Sequence, residues 1–91
     1  MGSHVYVQPV QVEVELDRHL HPGDELIVEQ RTDARVGEWI IAESDAGACV
    51  GLYSADAELT LYGLEVPRQM FSMKRENVHI RGVVIGMRSA L

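Results

Sequence analysis

Short apolar stretches, broken every few residues by turn signals, run through the middle of the sequence. None of them exceeds six residues, and none shows the apolar period of three to four residues that an amphipathic helix requires. The segments between them contain Asp, Gly and Ser, which favour tight turns. Short strands joined by such turns form a β-meander, so this region predicts antiparallel sheet. The strand-like stretches are 39–43, 48–53 and 58–62, and the turn segments are 45–47 and 54–57.

The first third of the sequence predicts two further strands. From Val10 to Leu16 apolar and polar residues alternate, which places the valines on one face and the glutamates on the other. The pair Pro22-Gly23 marks a turn, because proline fixes φ and glycine accepts positive φ. A second strand is expected at 25–30.

The end of the sequence predicts the closing strand, residues 78–87. Gly82 and Gly86 interrupt it, and glycine inside a strand indicates a bulge or a sharp coil. Residues 68–75 are expected to form a short helical turn, and no long helix is predicted. The fold class is therefore mainly β, a small curled antiparallel sheet or partly open barrel.

Composition limits both the size of the domain and its partners. The 91 residues suffice for one domain, expected at 5–91, with 1–4 interpreted as a tag or a disordered end. The formal charge is −6, and the chain has seven arginines and a single lysine. A duplex-binding surface would have little positive charge, so no direct nucleic-acid binding is expected.

Other sequence signals indicate a cytoplasmic chain without membrane segments. No apolar run approaches the roughly 18 residues of a membrane-spanning helix, and no signal peptide is recognisable. Cys49 is the only cysteine and lies in an apolar run, which predicts a small buried side chain rather than a reactive thiol.

His19 and His21 form an H-x-H pair in a polar loop. On an extended chain this spacing allows two imidazoles to share a metal ion. Residue order alone places no third ligand beside them, so a solvated loop is the favoured interpretation. Neither a metal nor any other cofactor is expected, and no nucleotide-binding loop is present.

Several of these segments, in their order, resemble the self-cleaving peptidase domain of the LexA repressor and UmuD family. The similarity covers roughly residues 20–89. The matching segments are Pro22-Gly23-Asp24-Glu25-Leu26-Ile27-Val28, Arg35-Val36-Gly37-Glu38-Trp39-Ile40-Ile41-Ala42, the turn Asp45-Ala46-Gly47, and Ile80-Arg81-Gly82-Val83-Val84-Ile85-Gly86-Met87-Arg88.

The resemblance implies a serine nucleophile and a buried lysine base, and both are missing. The stretch 10–20, where the family has its serine, contains none. Gly51 occupies the position that corresponds to the lysine, and Lys74 lies in a different segment. No catalytic residue is therefore assigned.

The resemblance also implies dimerisation through the closing strand. The residues expected at the dimer contact are Val83, Val84, Ile85 and Met87. The predicted function is a catalytically inactive homodimeric regulatory module, with a role of SOS-type or phage-type transcriptional regulation or of a polymerase accessory. Two alternatives remain: an active LexA-like or signal-peptidase-like serine hydrolase whose catalytic residues are displaced or truncated, and an unrelated small β-barrel binding module.

Overall fold

A computed structural model describes residues 4–90, which form strands and one short 3-10 helix. No helix in this range is long and apolar enough to cross a membrane. The strands are β1 Val5–Pro9, β2 Val14–Glu15, β3 His19–Leu20, β4 Glu25–Glu29, β5 Trp39–Ser44, β6 Gly47–Leu52, β7 Glu58–Gly63, β8 Met70–Lys74 and β9 Ile80–Arg88, and the 3-10 helix is Arg75–Asn77.

Seven strands form one sheet in the order β1-β4-β9-β5-β6-β7-β8, and β2 pairs with β3 in a separate hairpin. Every pairing is antiparallel. The edge strands β1 and β8 do not pair with each other, so the sheet is not closed into a barrel. This confirms the predicted fold class, a small and mainly antiparallel β domain.

The closing strand β9 lies between β4 and β5 and contains two bulges. Its pairing with β4 shifts so that Ile85 has no residue opposite, and its pairing with β5 shifts so that Arg81 has none. Gly82 lies between them, and a Cβ atom there would overlap Cγ1 of Val28. Bulges bend a strand and increase its twist, so the glycine-based prediction of a bulged strand is confirmed.

The central strands are buried on both faces, because successive side chains point to opposite sides of a strand. Ile41 and Val50 belong to a core cluster on one face. Ile40 and Cys49, their neighbours in the same strands, pack into clusters on the other face. Continuous apolar stretches rather than strict alternation are therefore found in β5 and β6.

The segment 10–24 crosses the first of these faces. Val10, Val14 and Leu20 point inward and are at most 6% exposed, whereas the intervening glutamates face water. The predicted alternation is confirmed, but the prediction of a continuous strand over 10–16 is wrong. The N–H of Val10 donates to the carbonyl oxygen of Asp24, and the N–H of Gln11 donates to that of Leu64. Because these two acceptors belong to different segments, only β2 within 10–16 is paired as a strand.

The structure corrects two further expectations. Residues 70–74 form β8, paired with β7, instead of the predicted helical turn. Their side chains alternate in exposure, with Phe71 and Met73 packed on the core, which is the period of a strand. Strand β1 had not been predicted from the sequence.

The expected tag or disordered end falls largely on residues 1–3, outside the described part of the chain. His4 is described, and its carbonyl oxygen accepts a hydrogen bond from the N–H of Gln30 at 2.7 Å.

Candidate functional site

Gly51 lies in β6, where it pairs with Ile40 on one side and Leu61 on the other. A Cβ atom built on it would lie 2.5 Å from the carbonyl oxygen of Thr60 and 2.6 Å from Cδ2 of Leu61. Because the Thr60 oxygen belongs to the backbone of the neighbouring strand, it cannot move aside as a flexible side chain would. Position 51, at which the resemblance would place a lysine, has no room for a side chain.

The remaining candidates for a serine and lysine pair do not assemble into a buried site. Lys74 is exposed at the end of β8, opposite Glu58. Ser44 is used by a turn: its hydroxyl donates to the carbonyl of Gly47 at 3.1 Å and accepts from the N–H of Ala46. Among residues 4–90 no buried lysine is present, so the structure offers no counterpart of the family's base.

The predicted dimer-contact residues on β9 occupy different environments. Val83 is 1% exposed and packs with Ile40 and Leu59 in the core. Val84 and Met87 are partly buried and pack against the core cluster on the other face of the sheet, which contains Ile41 and Val50. Ile85, at the bulge, is 55% exposed. In this fold Ile85 is the residue of the four best placed to contact a partner.

Ile85 borders an apolar groove of about 310 Å³. Trp39, Val84 and Met87 contribute to its lining, together with Leu16 and Leu20 from the crossing segment. Asp17 and Arg18, both exposed, also line it. We call this the β9 groove.

A second group of polar side chains lies on the β2–β3 hairpin. Nε2 of His19 is 3.1 Å from Oε1 of Glu13, and Nδ1 of His21 is 3.5 Å from the same oxygen. The two imidazole rings are stacked, with centroids 4.5 Å apart and planes 20° from parallel. All three side chains are exposed. We call this group the histidine cluster.

Asp24 anchors the loop that carries His21. It is only 3% exposed, and its carboxylate accepts the backbone N–H of His21 and that of Ala90, each at 2.9 Å. These two hydrogen bonds favour the charged form and lower the pKa of Asp24. The carboxylate therefore joins the start of the turn to the segment that follows β9.

Cys49 is fully buried in β6, as the sequence predicts. Its Sγ–H lies 3.4 Å from the carbonyl oxygen of Ala42. Burial raises the pKa of the thiol to about 11, so the side chain is a protonated thiol at neutral pH.

Sequence reasoning found the two histidines but not Glu13 as their neighbour. The signal was available, since alternation over 10–16 already places Glu13 on the water-facing side. The sequence does not predict that the chain reverses direction at 16–18. This reversal pairs β3 with β2 and brings His19 close to Glu13.

The alternative of a small β-barrel binding module predicts a concave face lined by Tyr53, Tyr62 and the arginines. The structure separates the two tyrosines: Tyr53 packs against the core cluster of Ile40, and Tyr62 packs against the core cluster of Ile41 on the opposite face. Comparison with family models, with curated proteins and with solved structures finds no match for this chain.

Proposed function

We propose that this chain is a non-catalytic dimerisation module that acts in regulation through protein contacts. The role that the LexA and UmuD resemblance suggests is transcriptional regulation of SOS or phage type, or a polymerase accessory function. The occupant of the β9 groove in this proposal is a second copy of the same chain.

The observation that carries the proposal is the position of Ile85 beside the β9 groove. A large apolar side chain that is 55% exposed stands next to an apolar depression. Across a two-fold axis the same patch meets itself, so each Ile85 can enter the groove of the other copy. Three of the four residues that the resemblance assigned to the contact line this groove, namely Val84, Ile85 and Met87.

The charges at the groove also suit a two-fold contact. Asp17 and Arg18 are adjacent and opposite in sign. Around a two-fold axis the aspartate of one copy can pair with the arginine of the other, which fixes orientation more than it adds affinity. The pair thus favours a second copy over an apolar small molecule.

Among residues 4–90 no serine lies beside a buried lysine, and this supports the non-enzymatic part of the proposal. A serine nucleophile of this family is deprotonated by a lysine that desolvation keeps neutral. There is no space for a side chain at position 51, and Lys74 is exposed. A hydrolase would need both groups from elsewhere, so the dimerisation module is the better supported function.

Light scattering tests the proposal. We expect the wild-type chain to have the mass of a dimer and Ile85→Arg to be a folded monomer. The substitution should raise the dimer dissociation constant by at least about 30-fold, as for loss of about 2 kcal/mol at an interface hot spot. Measurement at physiological salt is appropriate, because a formal charge of −6 opposes self-association at low ionic strength.

Val36→Arg is the matched control. Like Ile85, Val36 is an exposed apolar side chain, with 65% of its surface exposed. It lies in the loop before β5 and does not line the β9 groove. This variant should remain dimeric. Val83→Arg is unsuitable, since it would bury a charge in the core and unfold the chain. A wild-type monomer at all concentrations, or a dimer that Ile85→Arg leaves intact, would refute the proposal.

A further inference from the structure

We propose that Glu13, His19 and His21 form a binding site for a divalent transition metal ion, with zinc the ion that this ligand set suits best. Zinc sites with three protein ligands commonly combine imidazole nitrogens with a carboxylate oxygen and keep a fourth position for water or another ligand. The histidine cluster supplies two nitrogens and one oxygen, all within 4.8 Å of one another.

Two of the three distances inside the cluster are close to the edge length of a zinc tetrahedron. Zinc bonds to nitrogen and oxygen are about 2.0–2.1 Å, so two ligand atoms on one ion lie about 3.3 Å apart. The glutamate oxygen is 3.1 Å from the nitrogen of His19 and 3.5 Å from that of His21. The two ring nitrogens lie within 4.8 Å of each other and the rings are stacked, so one imidazole has to turn before all three atoms face one ion.

The backbone holds the ligands in place before any ion binds. Glu15 and His19 are paired across the β2–β3 ladder, which fixes the hairpin next to Glu13. The N–H of His21 is bound by the buried carboxylate of Asp24, and the following residue is Pro22, which restricts the backbone of His21. A loop fixed in this way loses less conformational entropy when it binds an ion.

The choice of ring nitrogens follows from the same geometry. His19 presents Nε2 and His21 presents Nδ1 to the glutamate oxygen. Without an ion, the carboxylate oxygen of Glu13 accepts a hydrogen bond from Nε2–H of His19, so zinc has to replace that proton. With zinc bound, the proton of each neutral ring lies on the other nitrogen, Nδ1 of His19 and Nε2 of His21.

Room for the fourth ligand lies beside the cluster. A groove of about 670 Å³ borders Glu13 and His19 and extends to Tyr62, Arg68 and Met70. Water, or a donor atom of a larger ligand, can reach an ion bound there.

Isothermal titration calorimetry with zinc chloride, on the chain without a polyhistidine tag, tests the site. We expect one zinc ion per chain. His21→Gln and Glu13→Gln each remove a ligand and should weaken binding by more than the roughly tenfold loss that follows removal of an outer-sphere partner. Because all three side chains are exposed, these substitutions leave the fold intact.

His79→Gln is the control, since His79 is an exposed histidine outside the cluster. It should bind zinc as the wild type does. Zinc should also raise the melting temperature of the wild type and of His79→Gln, but not that of His21→Gln, because an ion that binds only the folded state stabilises it. Absence of zinc binding, or equal binding by all variants, would overturn the proposal.

Discussion

The sheet interior and the crossing segment 10–24 bury their apolar side chains in different ways. In the interior, Ile40 and Ile41 are successive residues and both are buried, because the sheet is covered on both faces. In the crossing segment Val10, Val14, Leu20 and Asp24 are buried, and most of the other residues face water, including Glu13 and His19. Packing therefore limits the volume of each side chain in the interior, whereas most positions of the crossing segment can carry polar side chains.

The largest effect is expected where the interior has no free volume, at Gly51. We predict that Gly51→Lys does not fold, since its Cβ alone would collide with the backbone of Thr60 and its ammonium would be buried unpaired. Circular dichroism and urea titration of the purified variant measure this.

Leu52→Lys is the matched control for that substitution. Leu52 is the next residue in β6 and is 41% exposed, so lysine there should change the free energy of unfolding by less than about 1 kcal/mol. A folded Gly51→Lys with normal stability would show that position 51 has space for a side chain, contrary to the packing described.

A smaller effect is expected at Asp24, which holds the crossing segment. The pKa of Asp24 is lower in the folded state than the ordinary aspartate pKa of about 3.9. The charged carboxylate therefore stabilises the fold above about pH 3.9, and this stability is lost as the pH falls through the lower pKa of the folded state. We predict that Asp24→Asn lowers the melting temperature at pH 7 and shows a smaller further loss on acidification than the wild type.

Asp56→Asn is the control for this comparison, because Asp56 is an exposed turn residue. Thermal melts between neutral pH and about pH 3 are the measurement. If Asp24→Asn melts like Asp56→Asn over the whole range, the anchor is not needed to hold the segment.

The smallest effect concerns Cys49 and appears only at high pH. The folded pKa is about 11, above the value of about 8.5 for a free thiol. The stability that comes from keeping the thiol protonated is present below the free-thiol value and is lost as the pH rises toward the folded one. We predict that, as the pH rises between these two pKa values, the melting temperature of Cys49→Ala falls less than that of the wild type.

A labelling experiment on the wild type gives the independent check. The folded chain should not react with an aromatic disulfide reagent at neutral pH, and denaturant should expose one thiol. Rapid labelling of the folded chain would contradict the burial of Cys49.

Most of the sheet could be predicted because its strands are local features. The turn at 45–47 needs Gly47, whose φ is +99°, and the strands on either side are mainly apolar. Strand β8 could not be predicted in the same way, because its alternating residues become a strand only by pairing with β7. Strand β1 likewise depends on β4.

The candidate sites were predictable only in part, for a similar reason. The exposure of Ile85 results from a bulge whose position depends on the register with β4, which no local pattern records. The histidine cluster depends on a reversal between β2 and β3 that contains neither glycine nor proline. Both features arise from pairing between segments, not from the segments themselves.

The central position of β9 has a consequence for how the chain folds during synthesis. The ribosome releases β1 and β4 early and the meander β5 to β8 later, but these two parts share no ladder until β9 pairs with both. Until residues 80–88 emerge, β4 and β5 each expose an unpaired edge, which is a site for wrong pairing with other chains. The sheet is therefore completed only when β9 is available, and a nascent chain that stalls before β9 keeps both edges exposed to wrong pairing.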